Sequence, residues 1–150
     1  MPKKLTEHFT LEELYLSQTA TRRGLDNTPP PEVVKNLKAL CVNVLEPLRQ
    51  LTGQPIVINS GYRSPALNKL VKGAKNSQHI LGEAADIICP ALGQKKLFDL
   101  LRKSGLPFDQ VIDEFGSWVH VSYRSTPAAA NRRQVLLARL IEGKIKYNAV

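Results

Sequence analysis

The sequence lacks several features that would point to particular classes of protein. No apolar run reaches the length that crosses a membrane, and residues 1–8 lack the apolar core of a secretory signal. We find no internal repeat and no low-complexity segment. We therefore expect a globular protein without a membrane span, synthesised in the cytoplasm without a signal peptide.

Cysteine and histidine are both scarce. Cys41 and Cys89 form no C-x-x-C pair and lie among apolar residues, so we expect two buried free thiols, with a disulfide as the alternative. The three histidines are His8, His79 and His120. His8 lies in a polar N-terminal arm and is expected to be solvated, whereas the other two lie in structured, apolar settings.

Acidic residues are fewer than basic ones. The chain has 13 Asp and Glu and 21 Lys and Arg, which give a formal net charge of +8. This excess favours nucleic acid, an anionic lipid surface or acidic cell-wall polymer as partner, although it also serves solubility. No helix-turn-helix or aromatic–basic interleaving accompanies it, so nucleic-acid binding is a rival interpretation only. The basic pairs are scattered and are interpreted as solvated faces: Arg22-Arg23, Lys95-Lys96, Arg102-Lys103 and Arg132-Arg133.

The hydrophobic periodicity predicts an α+β fold, an antiparallel sheet with packed helices, in a single domain over residues 1–150. Predicted helices cover residues 10–17, 32–52, 65–71 and 94–104, and residues 19–31 are predicted to be a loop. Predicted strands cover residues 54–59, 87–88, 111–112 and 118–123. Residues 133–140 and 145–149 are predicted as a final hairpin, with a helix over 134–141 as the alternative.

The longest predicted helix has one apolar stripe, formed by Val34, Leu37, Cys41, Val44, Leu48 and Leu51. Pro47 should kink this helix or end its regular part, because proline lacks the backbone N–H. Gly53 should close it.

The stretch 77–87 organises the rest of the chain. It places His79 and Asp86 seven residues apart, and Asp86 leads into the apolar pair Ile87-Ile88, a short buried strand. A buried carboxylate must be paired, hydrogen-bonded or bound to a metal. One histidine and one aspartate are too few ligands for a metal, so a third must come from elsewhere.

His120 is the candidate third ligand. It lies inside the predicted strand 118–123, whose alternation puts Trp118, His120 and Ser122 on one face. Each histidine taken alone is better explained as a hydrogen-bonded core residue, but together with Asp86 they favour a metal site. Two imidazoles and one carboxylate leave zinc with an open position for water, whose pKa the metal lowers.

Three blocks of sequence carry a resemblance to a known family. Residues 60–64 (SGYRS), 77–86 (SQHILGEAAD) and 118–122 (WVHVS) resemble the zinc D-alanyl-D-alanine carboxypeptidase and L-alanyl-D-glutamate endopeptidase family of peptidoglycan peptidases. The similarity covers residues 9–147. It implies the fold of the D-Ala-D-Ala carboxypeptidase and hedgehog group, a Zn²⁺ cofactor and a peptidoglycan stem peptide as partner.

Carried over residue by residue, the resemblance implies His79, Asp86 and His120 as the metal ligands. It implies that Arg63 holds a substrate carbonyl or carboxylate and stabilises the developing oxyanion; the alternative is a surface turn residue. Ser77 matches a serine near the substrate, with a loop or capping hydroxyl as the alternative.

Two aromatic residues, Trp118 and Tyr62, are candidates for lining the substrate cleft. The alternative for each is a place in the core, which is commoner for an aromatic residue beside a strand histidine.

The general base departs from the family pattern. Family members often carry an acid three residues before the last histidine, but here that position is Ser117, which cannot take a proton. Asp113 and Glu114 are the nearest carboxylates, and alternation lets at most one of them face the metal. We favour Glu114, because residues 111–118 resemble a phage-type branch with glutamate there.

These observations predict a zinc peptidase, a carboxypeptidase or an endopeptidase, that cleaves a bond involving a D-amino acid in peptidoglycan. The phage-like segments imply a bacteriophage lysis or tail-associated protein, an endolysin, acting on the wall from the periplasm or the virion, as a monomer. A rival from another class is a non-catalytic wall-binding or virion structural module on the same fold.

Overall fold

Six β-strands form one sheet in the computed structural model, which describes residues 2–125 and 130–150. The strands are β1 Val57–Ser60, β2 Ala84–Ile88, β3 Gln110–Glu114, β4 Trp118–Ser122, β5 Gln134–Ile141 and β6 Lys144–Ala149. Their order across the sheet is β1-β2-β4-β3-β5-β6. The predicted hairpin at the C-terminal end is confirmed by the pairing of β5 with β6, and the helical alternative there is wrong.

The sheet is mixed, so the prediction of a purely antiparallel sheet is wrong at one pair. β5 runs parallel to β3, whereas the other neighbouring pairs are antiparallel. The connection after β4 brings the chain to the far side of β3. Asp109, just before β3, pairs with Arg124 and Arg132 near the two ends of that connection, at 3.2 and 2.9 Å. Local alternation specifies hairpins but not a connection of this kind.

Six short helices accompany the sheet within residues 2–125 and 130–150. They are α1 Gln18–Arg22, α2 Pro31–Leu40, α3 Glu46–Thr52, α4 Pro65–Leu70, α5 Gln78–Leu81 and α6 Gln94–Lys103. The predicted helix 32–52 is present as α2 and α3, joined by a π-helical turn, Cys41–Leu45, just before Pro47. Pro47 cannot donate a backbone hydrogen bond, so the helix widens where that bond is missing. Gly53, in the left-handed conformation, ends α3 as predicted.

The N-terminal segment differs from its prediction in extent. Thr10 and Glu13 form the predicted reciprocal capping bonds, but only a single 3₁₀ turn, Glu12–Leu14, follows. Helix α1 occupies the start of the predicted loop 19–31. Ser17 caps it by accepting a hydrogen bond from the Ala20 amide.

One face of the sheet packs against helices and forms the core. The fully buried side chains include Leu37, Leu48, Ile87, Val119 and Val121. The predicted stripe is wrong at its ends, because Leu51 is 54% exposed and Val33, not Val34, is buried. Leu51 lies beyond the widened turn, which changes the positions that face the sheet in the final helix.

Both cysteines are buried and free, as predicted. Burial, reinforced by the nearby charges of Glu13 and Glu46, raises the pKa of the Cys41 thiol to about 12. Cys41 is therefore a packing residue without thiolate reactivity.

The opposite face of the sheet carries polar side chains at its centre. Register pairs Asp86 of β2 with His120 of β4, and Ser60 of β1 with Asp86. Within the described part of the chain, no helix is both long and apolar enough to span a membrane.

Candidate active site

Asp86 and His120 face each other on neighbouring strands, and His79 reaches them from helix α5. The Oδ1 atom of Asp86 lies 3.1 Å from Nδ1 of His120 and 3.3 Å from Nε2 of His79. One donor atom of each residue lies within 4.8 Å of the other two. The structure thus brings together the three residues that the sequence analysis placed around a metal.

Short-range signals position His79. Ser77 caps helix α5 by accepting a hydrogen bond from the His79 amide at 3.1 Å. Gly82 ends the same helix in the left-handed conformation, and a Cβ atom there would meet the Val33 carbonyl oxygen at 2.8 Å. Ser77 therefore fixes the start of the helix that carries His79, and Gly82 turns the chain between His79 and Asp86, which are seven residues apart.

A contact at the second ring nitrogen of His79, Nδ1, fixes which of the two nitrogens carries the proton. Nδ1 lies 2.7 Å from the carbonyl oxygen of Gly61, which can only accept, so Nδ1 must donate. Burial lowers the pKa of His79, outweighing the opposing charge of Asp86, and this favours the neutral imidazole. The unprotonated Nε2 then points at a carboxylate oxygen, an arrangement that a cation between them would satisfy.

The chemistry of the donor set fits a divalent transition metal. Two imidazole nitrogens and one carboxylate oxygen are the set that zinc prefers where a position stays open for substrate or water. Burial alone would raise the pKa of Asp86, but His79 and His120 outweigh it, so the carboxylate stays ionised. The hydrogen bond from Nδ1 of His79 to a backbone carbonyl is the outer contact by which proteins orient a ligating histidine.

Arg63 borders this centre in a fixed orientation. Its Nη2 lies 3.5 Å from Oδ2 of Asp86, Nη1 donates to Asn68 at 3.1 Å, and Nε donates to Ser60 at 3.3 Å. Burial lowers the pKa of Arg63, opposed by Asp86 and Glu114, yet a guanidinium keeps its charge at any physiological pH. The sequence analysis found Arg63 but missed Ser60 and Asn68 as its supports. Ser60 stands within the quoted motif, and Asn68 carries no local signal.

The family comparison matches this arrangement. The profile of the family described as peptidase M15 matches residues 7–122, more than half of the chain. The chain belongs to the peptidase M15 family. This confirms the resemblance drawn from the three sequence blocks, and it leaves the phage-type branch untested.

A curated relative is similar over part of the M15 region. A zinc D-Ala-D-Ala carboxypeptidase of Streptomyces albus G is 39% identical over 62 residues, which are 41% of this chain. The match spans 24% of that relative's length. The two proteins therefore share one segment of similar sequence.

The two candidate bases lie on opposite faces of β3 in this M15 domain. The Asp113 carboxylate accepts hydrogen bonds from Nη2 of Arg139 at 3.0 Å, Nε2 of Gln94 at 2.8 Å and the Gly116 amide at 2.9 Å. These contacts outweigh burial and lower the pKa of Asp113. Asp113 thus anchors the β3–β4 turn to β5 and α6, and its oxygens are engaged there.

Glu114 is placed differently. It pairs in register with Trp118, on the face of the sheet that carries His120. Burial raises the pKa of Glu114; His120 opposes this and Asp86 reinforces it. A partly buried glutamate with a raised pKa, in the field of His120, Asp86 and Arg63, is suited to exchange protons.

Four other residues that the sequence analysis discussed occupy four kinds of position. Ser77 is the α5 cap, and Trp118 is partly exposed, with its ring 6.4 Å from that of Phe115. Tyr62 is only 6% exposed and packs in the core, and it also lines a groove beside Arg63. His8 is not simply solvated, because its Nδ1 lies 2.7 Å from Glu46 Oε2.

Proposed function

We propose that this M15 protein is a zinc-dependent peptidase that hydrolyses a peptide bond in the stem peptides of peptidoglycan. The observation that carries the proposal is the neutral Nε2 of buried His79 aimed at the Asp86 carboxylate, with His120 completing a three-donor centre. The similarity to a zinc D-Ala-D-Ala carboxypeptidase supports both the metal and the class of substrate.

His79, Asp86 and His120 would hold the zinc ion. When bound, zinc supplies Lewis acidity toward a carbonyl oxygen and lowers the pKa of water toward neutrality. The Gly61 carbonyl keeps the His79 ring in the ligating tautomer, and Arg63 holds Oδ2 of Asp86 while Oδ1 faces the two imidazoles.

Glu114 acts as the general base. It takes a proton from the attacking water and delivers it to the nitrogen of the leaving amine, a cycle that returns the carboxylate to its starting state. Its raised pKa helps the second half of this cycle, since the protonated form is then accessible nearer neutral pH. Asp113 is not assigned this role, because Arg139, Gln94 and Gly116 already occupy its oxygens.

Arg63 binds the carbonyl or carboxylate of the substrate and stabilises the negative charge that develops on the carbonyl oxygen. Its supports, Ser60 and Asn68, fix the guanidinium before the substrate arrives, which is how a preorganised donor lowers a barrier. Ser77 accepts from the His79 amide and keeps its own hydroxyl proton to offer to substrate, and the Trp118 ring flanks the cleft.

Two specific roles fit this chemistry, removal of a terminal D-alanine and cleavage within the stem peptide. We propose a wall-degrading role, in a bacteriophage lysis or tail-associated setting, on the sequence resemblance of residues 111–118. The competing hypothesis is a wall-binding or virion module that keeps the fold and the metal without turnover.

The test is hydrolysis of purified peptidoglycan by the zinc-loaded protein. We expect release of free amino groups that stops with a chelator and returns with zinc, and mass spectrometry of the released muropeptides identifies the bond. Glu114→Gln should lower kcat by about 100-fold or more while the zinc content stays the same, because a general base contributes a factor of that size.

Glu142→Gln is the matched control, since Glu142 is exposed in the β5–β6 turn, and its activity should equal that of the parent. If the zinc-loaded parent sediments with peptidoglycan yet releases no amino groups, the competing wall-binding hypothesis replaces the peptidase.

A further inference from the structure

A groove of about 940 Å³ adjoins the metal centre at Arg63. Its walls come from α1 and the two residues before it, from β1 and the loop that follows it, and from α4. Arg63 and Ser60 belong both to the groove and to the arginine network described above. The groove is therefore continuous with the proposed site of hydrolysis.

The groove follows the outer edge of the sheet. β1 is the first strand in the order, and among the described residues it pairs only with β2. Three consecutive β1 residues, Ile58, Asn59 and Ser60, line the groove, although side chains of successive strand residues point to opposite faces. The groove thus runs along the strand edge, where an extended peptide can add as a further strand.

Arg22 gives this groove a second positive charge. It lies in the last turn of α1, is exposed and lines the groove. Across residues 2–125 and 130–150, no carboxylate forms a salt bridge with Arg22, whereas Arg63 is engaged by Asp86. Arg23, the next residue, is also exposed and does not line the groove.

We propose that this groove binds the stem peptide in an extended form along β1, and that Arg22 selects a second carboxylate of that peptide. The inference rests on the proposed function for the class of substrate. For cleavage at the D-Ala-D-Ala end, Arg63 serves the carbonyl or carboxylate at the reacting bond, so Arg22 is left for a carboxylate farther along. In a stem peptide, the glutamyl residue linked through its γ-carboxyl offers such a free α-carboxylate.

The test is a binding measurement on the zinc-loaded Glu114→Gln protein, so that the peptide stays intact. The probes are two synthetic peptides, L-Ala-γ-D-Glu-L-Lys-D-Ala-D-Ala and the same peptide with the glutamyl α-carboxyl amidated. Calorimetric titration should give a Kd about tenfold lower for the free acid, the size expected when a charged hydrogen bond is formed. Adding Arg22→Gln should abolish that preference and leave the Kd of the amidated peptide unchanged.

Arg23→Gln is the matched control, with the same loss of charge on the same helix, and it should keep the tenfold preference. The inference is overturned if neither peptide binds, if Arg22→Gln keeps the preference, or if Arg23→Gln removes it equally.

Hydrolysis by the parent is measured separately, so failure of the peptidase proposal and failure of the groove proposal are distinguishable. Thermal melting of each variant should match that of the parent, because both arginines are exposed.

Discussion

The imidazole of His79 is held from two sides, by the Gly61 carbonyl at Nδ1 and by Asp86 near Nε2. Gly61 itself can only be glycine, because a Cβ atom there would overlap the backbone of Leu14. In the same stretch of backbone, the Arg63 amide donates a hydrogen bond to the His79 carbonyl at 3.0 Å. At the scale of single residues, the SGYRS motif therefore supports both the candidate metal centre and the position of Arg63.

Arg63→Lys tests the guanidinium directly. A lysine keeps the charge but cannot contact Ser60, Asn68 and Asp86 at once, so the preorganised donor is lost. We expect kcat to fall by about 100-fold, as when one oxyanion donor is removed, with zinc content unchanged. The measurement is steady-state hydrolysis of muropeptides with metal analysis. Arg23→Lys is the control, and a kcat for Arg63→Lys close to that of the parent would remove Arg63 from the mechanism.

The N-terminal arm and the long helix meet at Glu46, where α3 begins. Oε1 of Glu46 accepts a hydrogen bond from the His8 amide at 2.9 Å. Oε2 lies 2.7 Å from Nδ1 of His8 and accepts a hydrogen bond from Nε2 of Gln50 at 3.1 Å. Burial alone would raise the pKa of Glu46, but these bonds lower it to about 2. At the scale of elements, one carboxylate fastens the arm to the helix.

Because its pKa is lowered on folding, ionised Glu46 stabilises the fold above its ordinary pKa of 4.5, and this stabilisation is lost as the pH falls toward 2. Glu46→Gln should lower the free energy of unfolding at pH 7 by about 1 kcal/mol, reduced from the buried value by solvent exposure. The Tm difference between parent and variant, measured from pH 7 to pH 2.5, should narrow on acidification.

Glu142→Gln should show no such pH-dependent difference. A Tm gap for Glu46→Gln that stays constant over the same range would mean that the side chain acts by packing and not by charge.

The metal centre links elements that are distant in the chain, since α5, β2 and β4 each supply one donor. A ligand that binds only the folded state stabilises the whole molecule, by about 3 to 4 kcal/mol at 100 to 1,000 times its Kd. For a chain of this size we expect chelation to lower Tm by about 10 °C, and added zinc to restore it.

His120→Ala should melt at the same temperature with and without chelator, because a donor is missing. Calorimetry on parent and variant gives both curves. An equal Tm for the parent before and after chelation, with zinc content followed in parallel, would contradict the assignment of these ligands.

Local signals predicted much of the fold. The Ser64-Pro65 start of α4, the Gly53 end of α3 and the alternation of β4 are all present in the structure. These features depend on neighbouring residues, whose backbone preferences act over a few positions. Helix α1 escaped prediction because five residues carry too little periodicity, and its Ser17 cap is its main signal.

The sequence by itself predicted the three donors from ligand chemistry, Arg63 from the family resemblance, and Asp113 or Glu114 as the base from strand alternation, because these signals depend on residue type and local spacing. Only the tertiary structure showed how the surroundings of the two carboxylates differ. Arg139, on β5, engages Asp113 from 26 residues away, and it does so because β5 lies parallel to β3. A contact of that kind depends on how the chain crosses the sheet, and no spacing in the sequence encodes it.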